Sequence, residues 1–348
     1  MKALVHTAPM RLEYVERATP AIAPADVLLR IAAVAICGSD VHGYTGSTGR
    51  RIPPIVMGHE AAGVVETVGA EVTGWRAGDR VTFDSTVYCN ECAECRLGHI
   101  NLCLNRQIFG VSAPAFRRDG AMADFLAVPN WLLHRIPAGV SFEEASLVEP
   151  AAVAMHAARI TPIEPGAVVV VVGAGAIGLL ALQAARIRGA GTVVVMDVRD
   201  ERLALARQLG ADVAINSGSG DQAEALRAAT GKATAPVVFE AVGIGKTVQL
   251  ATDLTAPGGN ITLIGNVQPT IEQNLQLIIS KELTIRGSAA SAGEHSICIA
   301  MIADGRLKTA PLISRTMPLA DGQAAFDALH AAEAGLIKIV LRPDGAPE

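Results

Sequence analysis

Aromatic residues are scarce in this chain, with Phe, Trp and Tyr together making up 3% of it. A core without bulky rings must be built from Ala, Val and Gly, a balance that suits slim helices packed on valine-rich parallel strands. Charge is thin as well, at 18% Asp, Glu, Lys and Arg against 50% apolar residues, which excludes long disordered tracts. No excess of base is present: the formal net charge is −5, so the chain has no electrostatic footprint for nucleic acid. The opening MKALVHTAP lacks the apolar core of a signal peptide, and a cytoplasmic location is therefore expected. The uncharged stretch from Pro165 to Ala185 has the length of a membrane span. It is punctuated by Gly166, Gly173, Gly175 and Gly178, so a buried strand, a tight turn and a helix start explain it better, and no membrane partner is expected. Internal repeats and low-complexity segments are also missing.

What is present divides in two, as a length of 348 residues leads one to expect. Residues 1–150 read as short strands separated by Gly and Pro turns, for example "DVLLRIAAVAI", "GVVETVGAEV" and "GDRVTF". After Pro150 strands and helices alternate. Strands are expected at 167–172, 192–197, 212–215 and 236–241, with helices at about 175–189, 200–209 and 220–230 between them. "GGNITLIG" and "LTIRGS" supply the last strands, ending near residue 289. That alternation predicts a doubly wound parallel sheet. From about residue 290 to 348 the texture is mixed again and closes on the apolar run "GLIKIVL".

Gly173-x-Gly175-x-x-Gly178 directly follows a valine strand and opens a helix. The first glycine makes the turn, the second lets the backbone approach a pyrophosphate, and the third lets helix and strand pack closely. The free N–H groups of the helix start, at Ala176, Ile177 and Gly178, offer partial positive charge to the phosphates. Asp197 ends the next strand, nineteen residues beyond Gly178, where a carboxylate can accept both ribose hydroxyls of NAD. It should also repel a 2′-phosphate, although Arg199 and Arg202 nearby leave NADP as an alternative.

Four of the six cysteines lie within fifteen residues: Cys89, Cys92 and Cys95, then Cys103 after seven more residues. In a reducing compartment such clustering points to a metal rather than to disulfides. The spacing can close a tetrahedron of thiolates around Zn²⁺ in a lobe spanning about residues 86–105. A bacterial iron–sulfur run would place three residues before its fourth cysteine and a proline after it; here seven intervene and Leu104 follows. Four protein ligands leave no open position, so this site should build structure and carry no chemistry.

Cys37 in "CGSDVH" and His59-Glu60 in "GHE" form a second candidate set. A Cys, a His and a carboxylate plus water make the pattern of an open, catalytic zinc site. Taken singly, Cys37 could be a small buried apolar residue, His59 a satisfied core histidine and Glu60 a surface charge. Their company decides otherwise. "GHEAAGVVETVGAEV", Cys37, the four-cysteine lobe, "AGDRV", "VEPAAVAMHA" and the glycine fingerprint occur in one order that resembles the zinc-containing medium-chain alcohol dehydrogenases over essentially the whole chain. The resemblance is greatest to the polyol (sorbitol or iditol) dehydrogenase branch, because Glu60 follows the histidine and Glu149 sits in "VEP".

That resemblance implies a GroES-like, partly open β-barrel catalytic domain (1–150 and 290–348) with a Rossmann domain (151–289) inserted, and an active cleft where they meet. It implies two Zn²⁺ per chain and NAD. Cys37, His59 and Glu60 would hold the catalytic zinc, and Glu149 would bind that metal or its water. It further implies a relay in which Ser39 takes the alcohol proton and His42 carries it to solvent, with Asp40 orienting the loop. His156 is expected to be structural or to support the site, and Cys298 to be a buried helix residue. The "LTIRGS" strand commonly pairs between subunits in this family, so a homodimer or homotetramer is expected. The implied activity is oxidation of a secondary alcohol in a polyol or polyol phosphate to a ketose. One departure matters: no arginine follows "LTIRGS", where the sorbitol type has one for its sugar chain. L-Threonine and vicinal diols such as 2,3-butanediol therefore stay open as substrates. Arg50 and Arg51, in "TGSTGRRIPP", could meet a phosphate, but solvated loop charges account for them better. A zinc-free quinone reductase of this fold would have no reason to keep Cys37, His59, Glu60 and the lobe. A catalytically silent nucleotide-binding protein would tolerate loss of Ser39 and the open site.

Overall fold

The structure is a computed structural model and describes residues 1–112 and 117–347. The chain divides into two compact units. The first comprises Met1–Glu149, Ala292–Gly305 and the residues from Thr309 onward; the second comprises Pro150–Ser291 and Arg306–Lys308.

In the second unit six parallel strands form one sheet. Its order is Val213–Asn216, Thr192–Asp197, Val168–Val172, Ala235–Glu240, Thr255–Leu263, Thr284–Gly287. Numbered along the chain this is 3-2-1-4-5-6, the order of a dinucleotide-binding sheet, with its reversal between Val168–Val172 and Ala235–Glu240. The valines of the first strand are almost all fully buried, as a strand covered on both faces requires. The helices Ala176–Ile187, Asp200–Gln208 and Gln222–Thr230 connect the strands where alternation in the sequence places them. Asp221 caps the last of these by accepting from the N–H groups of Ala223 and Glu224, and Gly231 ends it in the left-handed conformation. The helix Gly245–Leu254, which hydrophobic patterning did not reveal, packs beside them. No helix among the described residues is long and apolar enough to cross a membrane; the uncharged stretch is a strand, a turn and a helix.

The first unit is built on a mostly antiparallel sheet. Its order is Leu133–Arg135, Arg80–Phe83, Glu60–Val68, Asp26–Ala35, Lys338–Arg342, Ile313–Pro318, and Phe125–Pro129 also pairs with Asp26–Ala35. A smaller sheet joins Arg11–Glu16, Lys2–Ala8 and Ile55–Val56. Leu29, Ile31, Ile36, Val65, Phe83, Phe109 and Phe326 fill the core between them. Reading residues 1–150 as strands and turns alone was too simple. Helices Gly38–Tyr44 and Phe142–Ser146 lie within this stretch, and Val148–Ile160 begins in it. Short helices of five to seven residues carry too little periodicity to be seen beside strong strand signals. The capping box of Ser141 and Glu144, with both hydrogen bonds formed, was the signal that could have found the second.

Candidate functional site

Strand register assembles the open site. Asp26–Ala35 pairs antiparallel with Glu60–Val68, setting Ala35 across from Glu60. Continuing past both ends brings Cys37, at the start of helix Gly38–Tyr44, to His59 and Glu60. Gly58 turns the chain into His59 with φ of +96°, and a Cβ there would strike the Met122 side chain at 2.8 Å. The Sγ of Cys37, a ring nitrogen of His59 and a carboxylate oxygen of Glu60 all lie within 4.8 Å of one another. That distance suits three donors of one ion. Burial, then the Glu60 carboxylate, push the Cys37 thiol up to about 12. A neighbouring cation is what would hold it as a thiolate.

The groups around the donors are oriented from outside. Asp40, fully buried, accepts from Arg51 Nε at 3.0 Å and Nη2 at 2.8 Å, and its other oxygen lies 3.5 Å from His59 Nδ1. Both atoms are buried without a hydrogen-bond partner, so the contact is an electrostatic one. The Asp40 carboxyl is held below its ordinary pKa: burial would raise it, but His59 and Arg51 together outweigh that. Arg51 is thus not a solvated loop charge; it is 5% exposed and spans Asp40 and Ser39, while Arg50 is exposed. Gly43 makes room for it, since a Cβ there would sit 2.1 Å from Arg51 Cγ. Ser39 Oγ donates to Cys37 Sγ at 3.3 Å. His42 follows one turn later on the same helix, exposed, and no hydrogen bond joins it to Ser39. Partial desolvation, then His330, lower its pKa.

Glu149 is buried in the same unit and accepts from Ser85 Oγ at 3.0 Å, standing outside the three-donor cluster. Burial, then the Glu60 charge, bring it to about 7, against the opposing pull of His59. Several residues here escaped sequence reasoning. Lys338 donates to both oxygens of Glu60, at 2.6 and 2.5 Å. A buried Lys inside "GLIKIVL" was the available sign. Next to Ser85, Asp84 lies 3.9 Å from His295 Nδ1, and His295 stacks on His134 at 5.0 Å. His156 is buried and meets Arg159, and Cys298 is a buried helix residue.

The four-cysteine lobe is organised locally. All four sulfurs lie within 4.8 Å of one another, with Cys103 Sγ 3.6 Å from Cys89 Sγ and 3.9 Å from Cys92 Sγ. Tetrahedral Zn–S bonds of about 2.3 Å would separate sulfurs by about 3.8 Å, whereas a disulfide needs about 2 Å. Backbone N–H groups of Glu91 and Cys92 bring the Cys89 thiol down to about 6. Cys95, desolvated and hydrogen-bonded by its neighbours, is pushed up to about 12. A cluster so divided already holds one sulfur close to the thiolate a metal needs.

In the second unit the glycine turn has the form a pyrophosphate requires. Gly173 has φ of +99°, and a Cβ at Gly178 would lie 1.8 Å from the Gly173 carbonyl oxygen. At Gly175 a Cβ would meet nothing within 4 Å, so the backbone there is open to a ligand. No side chain caps the helix that begins at Ala176, leaving the N–H groups of Ala176, Ile177 and Gly178 available. Asp197 Oδ2 accepts from Ala174 N–H at 2.7 Å and Oδ1 from Arg199 N–H at 3.0 Å, tying the acid to the turn. Arg202 Nη1 stands 3.9 Å from Asp197, while Arg199 turns its guanidinium onto Glu201.

Residues 23–138 match the alcohol dehydrogenase GroES-like domain, and residues 176–303 match the zinc-binding dehydrogenase family. An L-threonine 3-dehydrogenase from Symbiobacterium thermophilum is 36% identical over 335 residues, 93% of this chain and 92% of that protein. A sorbitol dehydrogenase from Bacillus subtilis is 32% identical, covering 99% of this chain and 98% of its own. Among solved structures, an Escherichia coli oxidoreductase/dehydrogenase of unknown specificity, described as involved in membrane biogenesis, superposes with a TM-score of 0.92. It is 33% identical and covers 99% of each chain.

Proposed function

The chain belongs to the zinc-binding alcohol dehydrogenases and is an NAD-dependent oxidoreductase; we propose that it reversibly oxidises a secondary alcohol of a polyol, free or phosphorylated, to a ketose. One observation carries the reading: Cys37, His59 and Glu60 converge within 4.8 Å, with Glu149 buried beside them on Ser85. Zinc held there supplies Lewis acidity, and NAD supplies the hydride acceptor. Asp197 receives the ribose diol, and the helix start at Ala176 receives the pyrophosphate. Arg202 flanks Asp197. Ser39 takes the alcohol proton by hydrogen bond, and His42, with a lowered pKa and open to solvent, passes it outward. A second carboxylate at Glu149 makes the donor set more polar, which suits a hydroxyl-rich ligand. The four thiols from Cys89 to Cys103 hold a second, structural zinc. Subunits associate through Thr284–Gly287, the edge of the parallel sheet.

A second reading, L-threonine oxidation, is favoured by the 36% identical relative and by the missing arginine after Thr284–Gly287. Initial NADH formation on sorbitol, xylitol, galactitol, their phosphates, L-threonine, 2,3-butanediol and ethanol decides between them. Polyols should react fastest and lose rate in Glu149→Ala. Ethanol winning, or L-threonine alone reacting, would overturn the polyol assignment.

A further inference from the structure

We infer that Lys338 is a positioning residue of the metal centre: its ammonium grips Glu60 and competes with the ion for that carboxylate, so setting how tightly the centre holds its metal. The inference rests on the donor set proposed above.

The placement is fixed by the sheet. Lys338–Arg342 pairs antiparallel with Asp26–Ala35, with Val340 across from Ala35. Ile36 N–H donates to the Ile339 carbonyl at 3.0 Å, so the register carries on and sets Lys338 across from Cys37. From there Nζ reaches Glu60 Oε1 at 2.6 Å, Glu60 Oε2 at 2.5 Å and the Ile36 carbonyl at 3.1 Å. An ammonium has three protons, and these three acceptors take them all. The two side chains are 3% and 0% exposed, so water does not screen the pair.

Charge explains why a lysine belongs there. Cys37 as thiolate, Glu60 and Glu149 would bring three negative charges to one divalent ion, with His59 neutral. Lys338 supplies the balancing positive charge, and it does so on one chosen ligand. Each Glu60 oxygen keeps a second lone pair for the ion, but the electron density is shared with the ammonium. A shared carboxylate is a weaker donor than a free one. Removing the ammonium should therefore tighten metal binding, the opposite of what loss of a merely structural residue would do.

The test is the rate at which a colorimetric chelator takes zinc from the purified full-length protein. Two phases are expected in the wild type, the one from the four-cysteine lobe being identified by its loss in Cys103→Ser. In Lys338→Met the other phase should slow at least about tenfold, and in a Glu60→Gln background Lys338→Met should leave the rate unchanged. Should Lys338→Met fail to fold, Lys338→Gln keeps a donor to Glu60 without the charge and should slow the same phase. Release at the wild-type rate or faster in the folded lysine variant overturns the inference, and so does an equal effect without Glu60. A wild type that holds no zinc outside the lobe fails the donor-set reading instead.

Discussion

The two cysteine-bearing sites are built in opposite ways. The lobe draws all its sulfurs from one run of fifteen residues, three of them half-exposed, and backbone N–H groups of the same run hold its most acidic thiol. The open site gathers Cys37, His59 and Glu60 across an antiparallel pair, and then Lys338 from a strand almost three hundred residues away. Its members are engaged by residues outside the donor set: the Lys338 ammonium holds Glu60, the Ser39 hydroxyl donates to Cys37, and Asp40 stands 3.5 Å from His59. A closed site with four local ligands needs only to saturate its metal. One that leaves a position for a substrate must fix incomplete ligands by other means, and that support has to come from the tertiary fold.

The largest effect separates the sites by substitution. Cys37→Ser should cost at least about two orders of magnitude in turnover while the melting temperature stays within a few degrees. Cys103→Ser should lower the melting temperature by about 5 °C or more, or loosen assembly, before activity falls, because metal binding there is coupled to local folding. Thermal unfolding and steady-state assays on both variants check this. A Cys103→Ser protein that folds and assembles normally would erase the contrast.

The dinucleotide turn is an intermediate case, local in its glycines but dependent on Asp197 from the next strand. Wild-type kcat/KM should favour NAD over NADP by at least about tenfold, roughly 1.4 kcal/mol, and Asp197→Ala should narrow the ratio. A wild type faster with NADPH would move attention to Arg199 and Arg202.

The smallest expected effect tests a support group behind Ser85. Burial raises Asp84 to about 7, against the Thr86 N–H that opposes it, and burial lowers His295 to about 4. Between pH 4.5 and 6.5 the folded state binds a proton on Asp84 that the unfolded state has lost, so that group makes stability fall with pH. Over the same window the unfolded state protonates His295 and the folded state does not, so that group makes stability rise. His134, stacked on His295 and brought to about 4 by burial and then by His295, adds a second rising slope, so Asp84 offsets only one of the two. In Asp84→Asn only the rising slopes remain, and stability relative to wild type should climb with pH by at most roughly 1.4 kcal/mol per unit. Urea unfolding across that window measures it; parallel curves for the two proteins would show that Asp84 does not carry the proton.

Short-range patterns were legible and long-range partners were not. Valines 168–172, the three glycines and the alternation after Pro150 announced the parallel sheet because each signal lies within one element. The helix Gly38–Tyr44 was missed, and with it the burial of Arg51, which packs over Gly43 and reaches Asp40. Lys338 is the single charge in the apolar run "GLIKIVL", and nothing near it in the chain names its partner. The sequence by itself determined the ligand types, their local spacing and the turn that can approach a phosphate, because these depend on covalent neighbours and on glycine's freedom. Only the tertiary structure decided which buried charges stand against those ligands. Pairing register, not sequence distance, puts Lys338 on Glu60, and the helix Gly38–Tyr44 brings Asp40 within 3.5 Å of His59.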